Sequence, residues 1–231
     1  TTTLDPVLPL SVLSTNPRGA ASMDGAAFWI SGQDASFGTQ YAISGGSTAT
    51  GLATPANSRV VGIFNNQVYT SSGSGSPNNG IHRIGVGLPT AATSNTLVID
   101  TFTPTGVAAS PYDFWFADAV TCYVADDTAS RGLRKFTYNG TAWVFAYNVN
   151  VEAGYTGLTG VKNASGQNVL YALNSGASNN GIYAITDTGA SSSRTLIRAS
   201  GANFAYRGIC LSPFAANTAP IAVDQSVSTD E

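Results

Sequence analysis

Three arginines stand at matching places along the chain, Arg18, Arg59 and Arg207, each just ahead of a run of small or apolar residues. Asp113 and Thr156 hold about the same place in two further runs. Guanidiniums brought to one spot bind carboxylate, phosphate or sulfate through planar, bidentate hydrogen bonds. The same arginines can instead pair with neighbouring aspartates or strand-end carbonyls and hold the fold together, since buried charges must be paired. Asp113, Asp126 and Asp127, with Asp118 close in sequence, offer oxygens to Ca²⁺, which takes about six to eight of them. No EF-hand or nonapeptide pattern frames them, and consecutive aspartates also cap turns. A metal on these aspartates beside the arginines would make a Lewis-acid site for hydrolysing a phosphate ester, sulfate ester or lactone.

His82 is the only histidine, so any Ser-His-Asp or Cys-His arrangement has to be built around it. It lies between Ile81 and Arg83, in a run where a partly exposed polar residue is routine. The chain carries no Gly-x-Ser-x-Gly elbow, P-loop or His-Glu-x-x-His. Cys122 and Cys210 read as small buried apolar residues of non-adjacent units. A disulfide needs Cα atoms within about 7 Å, so two free thiols are expected. One histidine and two scattered cysteines provide no zinc spacing. Asn139-Gly140-Thr141 and Asn163-Ala164-Ser165 match the glycosylation acceptor pattern, idle in a bacterial protein.

The elements that position these residues recur. Phe28-Trp29-Ile30-Ser31-Gly32, Val68-Tyr69-Thr70-Ser71-Ser72, Cys122-Tyr123-Val124-Ala125-Asp126 and Leu170-Tyr171-Ala172-Leu173-Asn174 are short apolar runs carrying an aromatic. Their aromatics fall at 29, 69, 123 and 171, so the period is 40 to 54 residues. Their repeated place in a strand makes them core packing first and sugar-stacking surfaces second. After a polar loop, a second run opens on glycine: Gly38, Gly80, Gly132 and Gly181. Upstream of each aromatic lies a small or fully apolar run, suited to a strand packed tightly on both faces. A fourth run closes three units at Thr96–Asp100, Ala142–Tyr147 and Thr195–Arg198, and is indistinct in the first. Four short strands per repeat at this period predict an all-β β-propeller of four-stranded antiparallel blades. A β-sandwich also spaces strands evenly but does not predict a repeated four-run unit.

Composition agrees with this architecture. Charged residues make up 10% of 231, against roughly 25% in soluble domains, and Gly, Ala, Ser, Thr and Asn take their place. With two Glu, two Lys and no sustained heptad, helical bundles are excluded. A net charge of −3 leaves no footprint for nucleic acid. No apolar run approaches the roughly 18 residues of a membrane span.

The ends predict four complete blades and an incomplete closing one, about five in all. Arg207-Gly208-Ile209-Cys210-Leu211-Ser212-Pro213 reads as an innermost strand, and Thr3 to Leu13 as an outermost one. The middle strands of that blade are missing, and the chain begins at Thr1 without methionine. The expectation is a fragment, a processed product or half of an assembly, in which self-association or a partner chain completes the open blade. Propeller geometry would gather Arg18, Arg59, Arg207, Asp113 and Thr156 around the mouth of a central channel, with Asp34, Asp126 and Asp127 in neighbouring loops.

The run Ser110-Pro111-Tyr112-Asp113-Phe114-Trp115-Phe116-Ala117-Asp118, followed by Tyr123-Val124-Ala125-Asp126-Asp127, Gly157-Leu158-Thr159-Gly160-Val161 and Arg207 to Pro213, resembles the repeats of secreted bacterial propeller modules in large multidomain surface or extracellular proteins. The tail Asn217 to Glu231 is similar to the opening strand of the cadherin-like or immunoglobulin-like modules that often follow. The resemblance implies a propeller over residues 1–214, lacking N-terminal blade sequence, then a linker and the start of a further module at 215–231. It implies secretion and modularity, and no settled activity. Two functions follow as expectations: a scaffold or binding module for an anionic or carbohydrate ligand at the channel mouth, or a hydrolase at the same mouth, assisted by Asp or a metal such as Ca²⁺.

Overall fold

The computed structural model describes residues 16–33, 36–74, 78–102 and 109–211. The predicted strands at Thr3 to Leu13 and in the tail, with Asp34, lie outside them. The described residues form sixteen strands in four antiparallel four-stranded sheets, each in sequence order, and no helix. Sheet 1 holds β1 (Pro17–Ala21), β2 (Ala27–Gly32), β3 (Thr39–Ile43) and β4 (Ala49–Ala53). Sheet 2 holds β5 (Ser58–Phe64), β6 (Gln67–Ser72), β7 (Gly80–Ile84) and β8 (Asn95–Asp100). Sheet 3 holds β9 (Pro111–Asp118), β10 (Thr121–Asp126), β11 (Leu133–Tyr138) and β12 (Trp143–Asn150). Sheet 4 holds β13 (Tyr155–Lys162), β14 (Asn168–Asn174), β15 (Gly181–Thr186) and β16 (Thr195–Ala199). The fourth strand of the first unit, indistinct in sequence, is therefore formed as β4. Its residues Ala49-Thr50-Gly51-Leu52-Ala53 lack an aromatic signature, and burial of Leu52 and Ala53 holds it.

Each sheet packs on the next, and the first strands β1, β5, β9 and β13 are neighbours in succession. One apolar cluster fills each interface. Trp29 and Leu52 meet Val61, Val68 and Ile84 between sheets 1 and 2. Ile81 and Ile99 meet Phe114, Phe116 and Val124 between sheets 2 and 3. Tyr123, Leu133 and Val149 meet Leu158, Leu170 and Ile185 between sheets 3 and 4. Each large side chain so buried stabilises by about 1.5–3 kcal/mol, so the core is distributed over interfaces rather than gathered in one centre. The small residues of the first strands are explained by this contact. A Cβ on Gly160 of β13 would meet the Trp115 ring at 2.6 Å, and one on Gly62 of β5 would meet Phe114 at 3.3 Å.

The glycines that open the third strands have a related cause. At Gly38 a Cβ would overlap the Pro55 carbonyl, and at Gly132 the Asn150 carbonyl, where φ is also +56°. The chain leaving the fourth strand crosses these points, so only glycine fits.

Two expectations are corrected here. Residues Arg207–Leu211 are irregular rather than strand, although Ile209 lies against Gly157 of β13. Among the described residues no strand pairs with this segment. Ser212 and Pro213 are outside the described residues. Cys122 and Cys210 are both free thiols, but only Cys122 is buried, and Cys210 is exposed because the segment carrying it is uncovered. No helix among the described residues is long and apolar enough to cross a membrane.

Candidate functional site

Every first strand carries a β-bulge at the same place. Arg18 is the extra residue between the pairs Pro17–Gly32 and Gly19–Ser31, and Thr156 between Tyr155–Asn174 and Gly157–Leu173. Tyr112 is extra between Pro111–Asp126 and Asp113–Ala125, and in β5 Arg59 and Val60 together face Ser71. A bulge re-aims one side chain and strengthens the local twist. The equivalent set at this end of the four sheets is thus Arg18, Arg59, Tyr112 and Thr156. Sequence alignment placed Asp113 in that set, one residue too far along. A one-residue slip reverses the direction of a strand side chain, so Asp113 turns elsewhere. The missed residue is Tyr112, and the available signal was the shared Pro17-Arg18 and Pro111-Tyr112 step.

The arginines and the tyrosine form a contiguous group. The Arg59 guanidinium lies over the Tyr112 ring, 4.7 Å from its centroid, a favourable cation–π position. Arg18 donates to Asn57 Oδ1 and, at 3.4 Å each, to the Ser58 carbonyl and Gln33 Oε1. Partial burial and then the charge on Arg59 hold the Arg18 pKa below its ordinary value, with Tyr112 acting in the opposite sense. Arg59 Nε is buried without a hydrogen-bond partner. Among the described residues the ion pairs are Lys135–Asp187, Lys162–Asp118 and Arg194–Glu152, so neither Arg18 nor Arg59 has a carboxylate. Arg207 is exposed and donates to the Ala177 carbonyl at 3.5 Å in the β14–β15 loop, and no contact joins it to the other two arginines.

Asp113 is an inter-sheet staple. Its Oδ1 accepts from the Phe114 amide and its Oδ2 from the Leu158 amide of β13, both at 2.8 Å. Elsewhere the job falls to serines two residues after the strand aromatic. Ser31 Oγ donates to the Arg59 carbonyl at 2.9 Å, and Ser71 Oγ to the Tyr112 carbonyl at 2.6 Å. In sheet 3 that position is Ala125, which has no hydroxyl, and its cross-strand partner is Asp113. Burial pushes the Asp113 pKa up to about 7 against the pull of its two amide donors.

The proposed metal ligands do not converge. Asp126 is wholly buried, with Oδ2 accepting from Ser110 N at 3.1 Å and Oδ1 from Thr128 N at 2.9 Å, as a loop-capping aspartate does. Asp127 is half-buried in the same loop, while Asp113 is turned towards β13. Among the described residues no three His, Cys, Asp or Glu side chains are grouped as a metal site requires. His82 is buried rather than partly exposed, because the β7–β8 sheet edge and Asn78 enclose it. Its Nε2 lies 3.1 Å from the Asn78 carbonyl and its Nδ1 3.0 Å from Asn95 Oδ1. Burial, only partly offset by these contacts, lowers its pKa.

A further buried cation was not singled out by sequence. Arg134 is fully enclosed, lies over Phe136 and Phe145 at 5.2 and 5.0 Å, and donates Nη1 to the Thr101 carbonyl at 2.8 Å. Burial, then the Arg131 charge, lowers its pKa to about 10. Nothing in the local pattern Leu133-Arg134-Lys135 distinguishes it from an exposed strand residue. Set beside known proteins, the chain matches no protein family and no curated protein.

Proposed function

We propose that the chain is a β-propeller binding module of a secreted or cell-surface bacterial protein, with four complete blades and an incomplete fifth, taking an anionic ligand at the bulged ends of its first strands. The observation that carries this reading is the pairing of Arg18 with Arg59 in one neighbourhood without a carboxylate among the described residues. Two such charges raise each other's energy, and an anion with two or more oxygens relieves that repulsion while filling the free N–H groups. Hydrolysis at this end would need a free carboxylate or a metal-borne water. Asp113 and Asp126 have their oxygens engaged with backbone amides, so binding is the better-supported reading.

The test is isothermal titration of the purified chain with citrate, sulfate and inorganic phosphate at low salt. Arg59→Ala is expected to weaken the tightest of these at least about tenfold, or about 1.4 kcal/mol, with a smaller loss for Arg18→Ala. Undiminished binding in both variants, or no binding by the parent chain, counts against this function.

A further inference from the structure

At the opposite end of the sheets, the chain carries its own template for a second site. The second and third strands present a cross-strand pair towards the next sheet: Trp29–Tyr41, Tyr69–Arg83 and Tyr123–Lys135. Between sheets 3 and 4 that pair grips a carboxylate. Asp187, which follows β15, accepts from the Tyr123 hydroxyl at 2.6 Å, from Lys135 Nζ at 2.8 Å and from the Tyr147 hydroxyl at 2.8 Å. Only 3% of the Asp187 side chain is exposed. Between sheets 1 and 2 the place is filled differently, by the β7–β8 loop, where Trp29 Nε1 donates to the Pro89 carbonyl at 2.8 Å.

Between sheets 2 and 3 the pair is Tyr69–Arg83, and nothing among the described residues occupies it. The residue equivalent to Asp187 is Tyr138, because the Asp187 amide donates to Asn168 and the Tyr138 amide to Val120 at the same register. Tyr138 brings no carboxylate and leans on Trp143, ring centroids 5.6 Å apart. What remains is an open groove of about 540 Å³, lined by Phe64, Tyr69, Arg83, Phe116, Tyr138 and Trp143. Among the described residues neither the Tyr69 hydroxyl nor the Arg83 guanidinium has a hydrogen bond or ion pair. The groove lies within the usual size of a small-molecule site, and its aromatic walls suit a ring.

We propose that this groove binds a small ring-bearing carboxylate, its carboxylate held by Arg83 and the Tyr69 hydroxyl as Asp187 is held one interface away, its ring against Trp143 and Phe116. A hexuronic acid and an aryl acetate share that chemistry. The test is titration with D-glucuronate and phenylacetate, each beside its neutral counterpart, D-glucose and phenylacetamide. At least one acid should bind at least tenfold more tightly than its counterpart, and which one does so names the source. Arg83→Gln should abolish that preference, Tyr69→Phe should reduce it several-fold, and Tyr138→Asp should block the site by supplying the missing carboxylate. Arg198→Gln, an exposed arginine of β16 outside both sites, should leave it unchanged. Because Arg83 is exposed, its variant is expected to keep the parent melting temperature. Equal affinity for acids and neutral counterparts, no binding of either acid, or an acid preference that survives Arg83→Gln overturns the proposal.

Discussion

The Asp113 staple makes stability depend on pH in an unusual direction. A surface carboxylate that gains a partner on folding has a lowered pKa and stabilises the protein above its titration. For Asp113 burial moves the pKa from 3.8 up to about 7. Between those values the folded chain binds more protons than the unfolded one, so stability from this group is full below about pH 4 and is lost as pH rises through 7. At about 1.4 kcal/mol for each tenfold change in proton affinity, and with the residue only half-buried, the loss is between about 2 and 4 kcal/mol. His82 works against it. Its lowered pKa removes stability as pH falls below about 6.5, so the parent curve alone mixes both effects. The decisive measurement is the difference between the parent chain and Asp113→Asn in urea unfolding from pH 3.5 to 8.5. Asparagine does not titrate, and its Nδ2 replaces one of the two oxygens that accept from the Phe114 and Leu158 amides, so near pH 4 the two proteins should differ only by that fixed cost. By pH 8 the difference should have moved in favour of the asparagine variant by the amount above. A difference that grows in the opposite sense would mean that the amides of Phe114 and Leu158 outweigh burial, and the reasoning would fail.

Three further outcomes follow from the same geometry. In native buffer a thiol reagent should modify about one cysteine per chain, the exposed Cys210. Cys122, whose pKa burial raises well above the ordinary thiol, should react only on unfolding. Ser71→Ala should cost about 1–3 kcal/mol in chemical denaturation, because the Tyr112 carbonyl and the Val60 amide lose the hydroxyl that joins two sheets. Asp187→Asn should cost about 3–5 kcal/mol by the same measurement, since it leaves Lys135 without its anion. Burial raises the Asp187 pKa, but bonds from Lys135, Tyr123 and Tyr147 outweigh it and hold the group below the ordinary carboxylate. That stabilisation should therefore fade as pH falls below about 4.

The repeat was legible because it is local. Aromatics at 29, 69, 123 and 171 and glycines at 38, 80, 132 and 181 mark strands and close backbone approaches, and each depends on residues of its own four-stranded unit. Four antiparallel units followed from that periodicity, including a first unit whose closing strand showed no pattern of its own. Of the five residues expected together, Arg18, Arg59 and Thr156 hold equivalent bulge positions, while Arg207 lies apart on an irregular segment and Asp113 stood in for Tyr112, because a bulge adds a residue without any mark in composition.

Contacts between units were not legible, because they join residues 30 to 65 positions apart whose pairing no short window contains. That Ala125 hands its inter-sheet bond to Asp113, that Asp187 neutralises Lys135, and that Tyr138 leaves Arg83 facing an open groove were decided only when successive sheets packed. The chain alone determined which residues become strands, through side-chain type and spacing. Tertiary structure decided which charges are satisfied, since a carboxylate or hydroxyl finds its partner through space and not along the backbone.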